Sequence, residues 1–138
     1  MGNEGKMKRV MGRAMLVAGM ALIAVFAMIS PASASSFYSG GSTGSISNFT
    51  TGSTSYIQNH SGDDFAFDVT SGIAVDMRWS KCSDSSVHGA IKYNIGVSDG
   101  YRTLGTNFLP TTCLHIQYRG FTQTGSFNGY TYWNYSWV

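Results

Sequence analysis

From residue 35 onward the sequence contains no glutamate and a single proline, Pro110, and the whole 138-residue chain carries two cysteines. Charge is scarce as well, at 12% of residues. Each shortage excludes something. Strong helix formers are thinly represented, while Ser, Thr, Gly, Tyr and Phe abound, a mixture that favours strands and turns. Ionisable groups are too few and too scattered for a recognisable catalytic constellation. There is no HExxH and no G-x-S-x-G, and His60, His88 and His115 lie in separate segments without ligand spacing. Ser61-Gly62-Asp63-Asp64, with Asp68 beyond it, offers oxygens but lacks the alternating acids of a calcium loop, and reads as a polar turn. No metal and no other cofactor is expected.

Long hydrophobic runs are also missing, except one at the start. Lys6, Lys8, Arg9 and Arg13 precede an apolar run from Ala14 to Ile29, followed by Ser30-Pro31 and the small residues Ala32-Ser33-Ala34. That order is the pattern of a cleaved secretory signal peptide over residues 1–34, of bacterial type. The run is shorter than the ~20 residues that span a bilayer. Cleavage after Ala34 removes all of the net positive charge. The +2 of the whole chain becomes a slight acidic excess, with Arg78, Lys81, Lys92, Arg102 and Arg119 against six aspartates. A basic nucleic-acid footprint is absent, so nucleic acid is not an expected partner. The expected location is extracellular, secreted or loosely surface-associated, with no stable membrane insertion after cleavage.

In an exported chain, Cys82 and Cys113 are expected to form one structural disulfide. Closing a loop of that length stabilises by about 3–4 kcal/mol in the chain-entropy account.

Residues 35–45 are uncharged and rich in Ser, Gly and Thr, and read as a flexible lead-in to a single β-domain over 46–138. Three hairpins are expected within that domain. Phe65, Phe67 and Val69 fall at alternate positions, as do Ile73, Val75, Met77 and Trp79. A turn at Thr70-Ser71-Gly72 would set Phe67 opposite Val75 and Asp64 opposite Arg78. Asp99-Gly100, a favoured two-residue turn, would pair Ile95 with Leu104. Asn128-Gly129 would fold the C-terminal strand back, pairing Thr124 with Trp133 and Gly120 with Trp137. Seven aromatics follow Arg119. In that register Trp133, Tyr135 and Trp137 join Leu114, Ile116 and Tyr118 on the core face.

The other face of the third hairpin then carries His115, Gln117, Arg119, Phe121, Tyr130, Tyr132 and Asn134. Tyrosine rings offer flat apolar surface with a hydroxyl handle, and the remaining side chains offer directional hydrogen bonds. His115, Gln117, Arg119, Tyr130, Tyr132 and Asn134 are accordingly the candidate ligand-binding residues. Six to eight short strands point to an all-β fold, a small antiparallel β-sandwich or small barrel. The Cys–Trp–Cys order of immunoglobulin domains is missing, since Trp79 precedes both cysteines. The expected function is a small secreted, non-catalytic binding module for a glycan, cell-wall or protein partner. The alternatives are an antimicrobial or toxin-like protein and, less favoured, a small hydrolase.

Overall fold

The computed structural model describes residues 35–135, so the expected leader over 1–34 and the side chains of Tyr135 and Trp137, expected in the core, lie outside what is described. Nine strands run in chain order: β1 (Ser35–Thr43), β2 (Thr50–Thr51), β3 (Tyr56–Ile57), β4 (Asp63–Gly72), β5 (Val75–Lys81), β6 (Lys92–Ile95), β7 (Tyr101–Phe108), β8 (Cys113–Gly120) and β9 (Gly125–Tyr135). They form two antiparallel sheets. The four-stranded sheet has the order β1-β9-β4-β7; the five-stranded sheet has the order β2-β8-β5-β6, with β3 also on β8. Among the described residues there is no helix, and none long and apolar enough to cross a membrane.

One hydrophobic core lies between the sheets. Phe65, Phe67, Val69, Leu104 and Phe127 come from the four-stranded sheet, and Tyr56, Val75, Met77, Ile95, Leu114 and Ile116 from the five-stranded sheet. Period-two alternation puts these side chains on inner faces, because successive residues of a strand point to opposite sides. Trp133 packs at the edge of this core, its ring 5.0 Å from that of Tyr56. The disulfide Cys82–Cys113 is formed, with Cα atoms 5.4 Å apart. It joins the ends of neighbouring strands β5 and β8, where Cys82 N also donates to Cys113 O at 3.0 Å.

All three expected hairpins are corrected. β4 and β5 lie in different sheets, as do β6 and β7, and β8 and β9. Each connection crosses the core instead of turning back along its own sheet. Alternation records which side chains point inward. It does not record whether the next strand lies beside the first or opposite it across the core. The tight turn before β7 is centred on Val97-Ser98 and not on Asp99-Gly100, with Asp99 N donating to Gly96 O and Gly96 N to Asp99 Oδ2, and it hands the chain from one sheet to the other. The pairings formed are Val75 with Ile95 and Phe67 with Arg102. Asn128-Gly129 is no turn. It lies within β9, where Asn128 faces Gly40 of β1 and Ser71 of β4. Gly129 is needed there for close approach, since a Cβ would stand 2.0 Å from Asp68 O and 2.7 Å from the Phe67 ring.

The lead-in expected over residues 35–45 is a strand. β1 pairs with β9 without interruption from Ser35↔Trp133 to Thr43↔Gly125. Its composition resembles a linker because this ladder is made by backbone groups, which need no apolar side chains. The expected Asp64–Arg78 pair is not formed. Asp64 is buried and accepts from Asn107 N at 3.2 Å, while Arg78 Nε donates to Gln117 Oε1 at 2.7 Å.

Candidate ligand-binding face

Because β8 and β9 belong to opposite sheets, the six candidate residues do not form one surface. His115, Gln117 and Arg119 project from the outer face of the five-stranded sheet, opposite β5 residues Ser80, Arg78 and Asp76. Their polar atoms are already engaged. Arg119 Nε donates to Asp76 Oδ2 at 3.0 Å and its Nη1 to Ser47 O at 3.1 Å. Gln117 accepts from Arg78 and donates to Thr51 Oγ1 and Ser85 O. His115 Nδ1 lies 2.8 Å from Thr54 O, which fixes that nitrogen as the protonated one. Acceptors from the 47–54 segment and from Ser85 thus lie over this face. It is an internal network with little left to offer a neutral ligand.

Asn134 is removed from the set for a different reason. It is buried, at a φ of +57° that asparagine tolerates better than most residues. Its Oδ1 accepts from Asn59 N at 2.8 Å, its own N donates to Gln58 Oε1 at 3.0 Å, and its Nδ2 reaches Ser35 Oγ at 3.4 Å. The side chain ties β1 and the segment after β3 to β9.

Tyr130 and Tyr132 remain, on the outer face of the four-stranded sheet, and two tyrosines that the sequence did not link to them join them there. Register places Tyr38 of β1 beside Tyr130 of β9, Tyr130 beside Asp68 of β4, and Asp68 beside Tyr101 of β7. Ring centroids are 4.9 Å apart for Tyr38–Tyr130, 6.2 Å for Tyr130–Tyr132 and 4.4 Å for Tyr132–Tyr101. Tyr38 and Tyr101 are about half exposed, at 52% and 51%, and Tyr130 is 38% exposed. The row crosses three inter-strand intervals, a length of about 14 Å. Burial, followed by the Tyr101 hydroxyl and the charges of Asp68 and Tyr130, holds the Tyr132 hydroxyl well above the ordinary tyrosine pKa. It therefore stays a neutral donor at physiological pH.

Tyr38 falls in the segment read as a lead-in, and Tyr101 directly follows the Asp99-Gly100 pair. The only sequence signal was local: Tyr130 and Tyr132 are two apart and so share a face. The order of strands brings in the others.

Other surfaces offer less. A cleft of about 90 Å³ opens between Ser39-Gly40, Gly52–Thr54 and the core rings of Tyr56 and Tyr118. That volume admits a few waters. A shallow hollow of about 420 Å³ lies beside the disulfide, under Leu109 and Pro110. Among the described residues, no group of three or more His, Cys, Asp or Glu could hold a metal ion. Asp63, from the turn weighed above as a calcium loop, accepts from His60 N at 2.9 Å. Compared with protein-family models, curated proteins and solved structures, the chain matches none of them.

Proposed function

We propose that this protein is a secreted, non-catalytic binding module, and that its tyrosine row holds a carbohydrate chain. One observation carries the reading: Tyr38, Tyr130, Tyr132 and Tyr101 form a contiguous aromatic strip with the carboxylate of Asp68 set into its middle. Sugar rings present apolar C–H faces and a rim of hydroxyls. Tyrosine rings supply apolar contact at low conformational cost, their hydroxyls both donate and accept, and Asp68 accepts from sugar hydroxyls. The strip carries no cation, so a neutral glycan meets no electrostatic barrier. Export is supported by the basic, apolar and small-residue order of residues 6–34 and by the disulfide, which belongs to a non-reducing setting. No observation on this face favours attack on membranes, and no residue pair on it is arranged for hydrolysis.

Retention on insoluble polysaccharides and isolated bacterial cell wall tests the reading. The disulfide-bonded chain should be retained on at least one glycan and released by soluble oligosaccharide of the same kind. Retention by a protein alone, with none on any glycan, would overturn it in favour of a protein partner.

A further inference from the structure

The outer face of the five-stranded sheet holds a second feature, built from charge in a chain that has little of it. Arg78 on β5 and Arg119 on β8 are diagonal neighbours, since Asp76 faces Arg119 and Arg78 faces Gln117. One aromatic ring receives both guanidinium groups. Arg78 Cζ lies 4.1 Å, and Arg119 Cζ 4.7 Å, from the centroid of Phe49. Stacking of this kind fixes the guanidinium plane as well as contributing cation–π attraction.

Each guanidinium is pinned a second time, through its Nε. Arg78 Nε donates to Gln117 Oε1 at 2.7 Å and Arg119 Nε to Asp76 Oδ2 at 3.0 Å. Arg119 Nη1 is held by Ser47 O. The two terminal nitrogens of Arg78 and Nη2 of Arg119 have no acceptor among the described residues. The charge balance is uneven too. One carboxylate, Asp76, pairs with Arg119 and none with Arg78 among the described residues, and the other Asp76 oxygen accepts from Asn94 N at 3.0 Å. Burial and then repulsion from Arg119 push the Arg78 pKa down. A purely structural ladder would need only the Nε contacts and a second carboxylate. What is present is one open fork, on Arg78, beside the single free terminal nitrogen of Arg119, both oriented by Phe49.

We propose that Arg78 and Arg119, stacked on Phe49, form a binding site for an oxyanion, a carboxylate or sulfate group that accepts from the Arg78 fork and from Arg119 Nη2. Guanidinium forks match such groups geometrically, and charge-assisted bonds of this type are roughly twice as strong as neutral ones. Two sources supply that chemistry: a free inorganic anion, or an acidic sugar within a polysaccharide. The site lies on the outer face remote from the tyrosine row and does not depend on the glycan reading of that row.

The test follows the side-chain Nε–H signals of Arg78 and Arg119 by nuclear magnetic resonance in the disulfide-bonded protein. Sodium sulfate and a uronic acid oligosaccharide are titrated separately, with ionic strength held constant by sodium chloride. Saturable shifts of both signals are expected. Equal affinity for sulfate would identify a free-anion site, and at least about tenfold tighter uronate binding an acidic-sugar site. Arg78→Gln should weaken binding about tenfold or more, since it removes hydrogen bonds to a charged group. It should leave any capture by the tyrosine row unchanged. If that variant fails to fold, Arg78→Lys keeps the charge and loses the fork, and should still weaken binding measurably. Shifts no larger than chloride gives, shifts centred on Lys81 or Lys92, or unchanged affinity in a folded Arg78 variant would each overturn the proposal.

Discussion

The two outer faces of the sandwich are built from similar polar material and differ in what they leave unengaged. On the five-stranded sheet, Asp76, Arg78, Gln117, Arg119 and His115 are linked to one another or to backbone carbonyls, and Phe49 lies over both arginines. On the four-stranded sheet the side chains meet mainly ring against ring, and Tyr38 and Tyr101 keep half their surface in solvent. Residue type alone would rank the first face as the better binding site, with its histidine, glutamine and arginine. Engagement reverses that order for a neutral ligand. A buried polar group that already has its partner loses free energy if it is pulled away, whereas an exposed aromatic strip gains by being covered. Only the terminal nitrogens of Arg78 and Nη2 of Arg119 are left over on the first face, and these call for an anion.

That contrast can be broken from either side. The largest effect should come from the disulfide, which ties β5 to β8 under the networked face. Replacing Cys82 and Cys113 together by Ala should lower stability by about 3–4 kcal/mol, measured by denaturant unfolding. Glycan capture by the folded fraction should persist, because the tyrosine row lies on the other sheet. Next comes Asp76→Ala, which leaves Arg119 without its carboxylate and Asn94 N without an acceptor. The Asp76 side chain is only 4% exposed but Arg119 is 20% exposed. The expected loss is therefore about 2–3 kcal/mol, below the range for fully buried pairs, again with capture retained.

The smallest effect concerns pH. Tyr132 ionises less readily in the folded chain than in the unfolded one. Its contribution is complete below the unfolded tyrosine pKa of about 10 and is lost as pH rises from there through the raised folded value. Tyr132→Phe should flatten that alkaline decline in unfolding free energy and change little at neutral pH. A decline of the same slope in the variant would place its origin elsewhere.

What could be read from the sequence was the direction of side chains along each strand. Phe65, Phe67, Val69, Val75, Met77, Leu114 and Ile116 fall at alternate positions of their strands and all lie in the core. The pairing of Cys82 with Cys113 was legible from the expected export and the number of cysteines. Partner strands were not. A two-residue turn signal such as Asp99-Gly100 marks the neighbourhood of a bend, and the bend serves an inter-sheet corner as well as a hairpin. Asn128-Gly129 shows the opposite failure, since a turn-forming pair lies inside a strand where glycine answers a steric demand from Asp68 and Phe67. For the candidate face, Tyr130 and Tyr132 were tied together by local spacing. Tyr38 and Tyr101 were out of reach because strand order, with β9 between β1 and β4, is a property of the whole chain. Reading β8 and β9 as one hairpin also grouped His115, Gln117 and Arg119 with the tyrosines, from which the core separates them.

The central claim is that recognition of a neutral glycan belongs to the tyrosine row and not to the network on the opposite sheet. Tyr101→Ala/Tyr130→Ala, compared with His115→Ala, tests it most directly, by glycan retention and thermal unfolding measured on the same samples. The double tyrosine variant should lose retention while its stability changes by about 1 kcal/mol or less, as for surface positions, and His115→Ala should retain the glycan. Retention by a folded double tyrosine variant, or its loss in folded His115→Ala, would contradict the account.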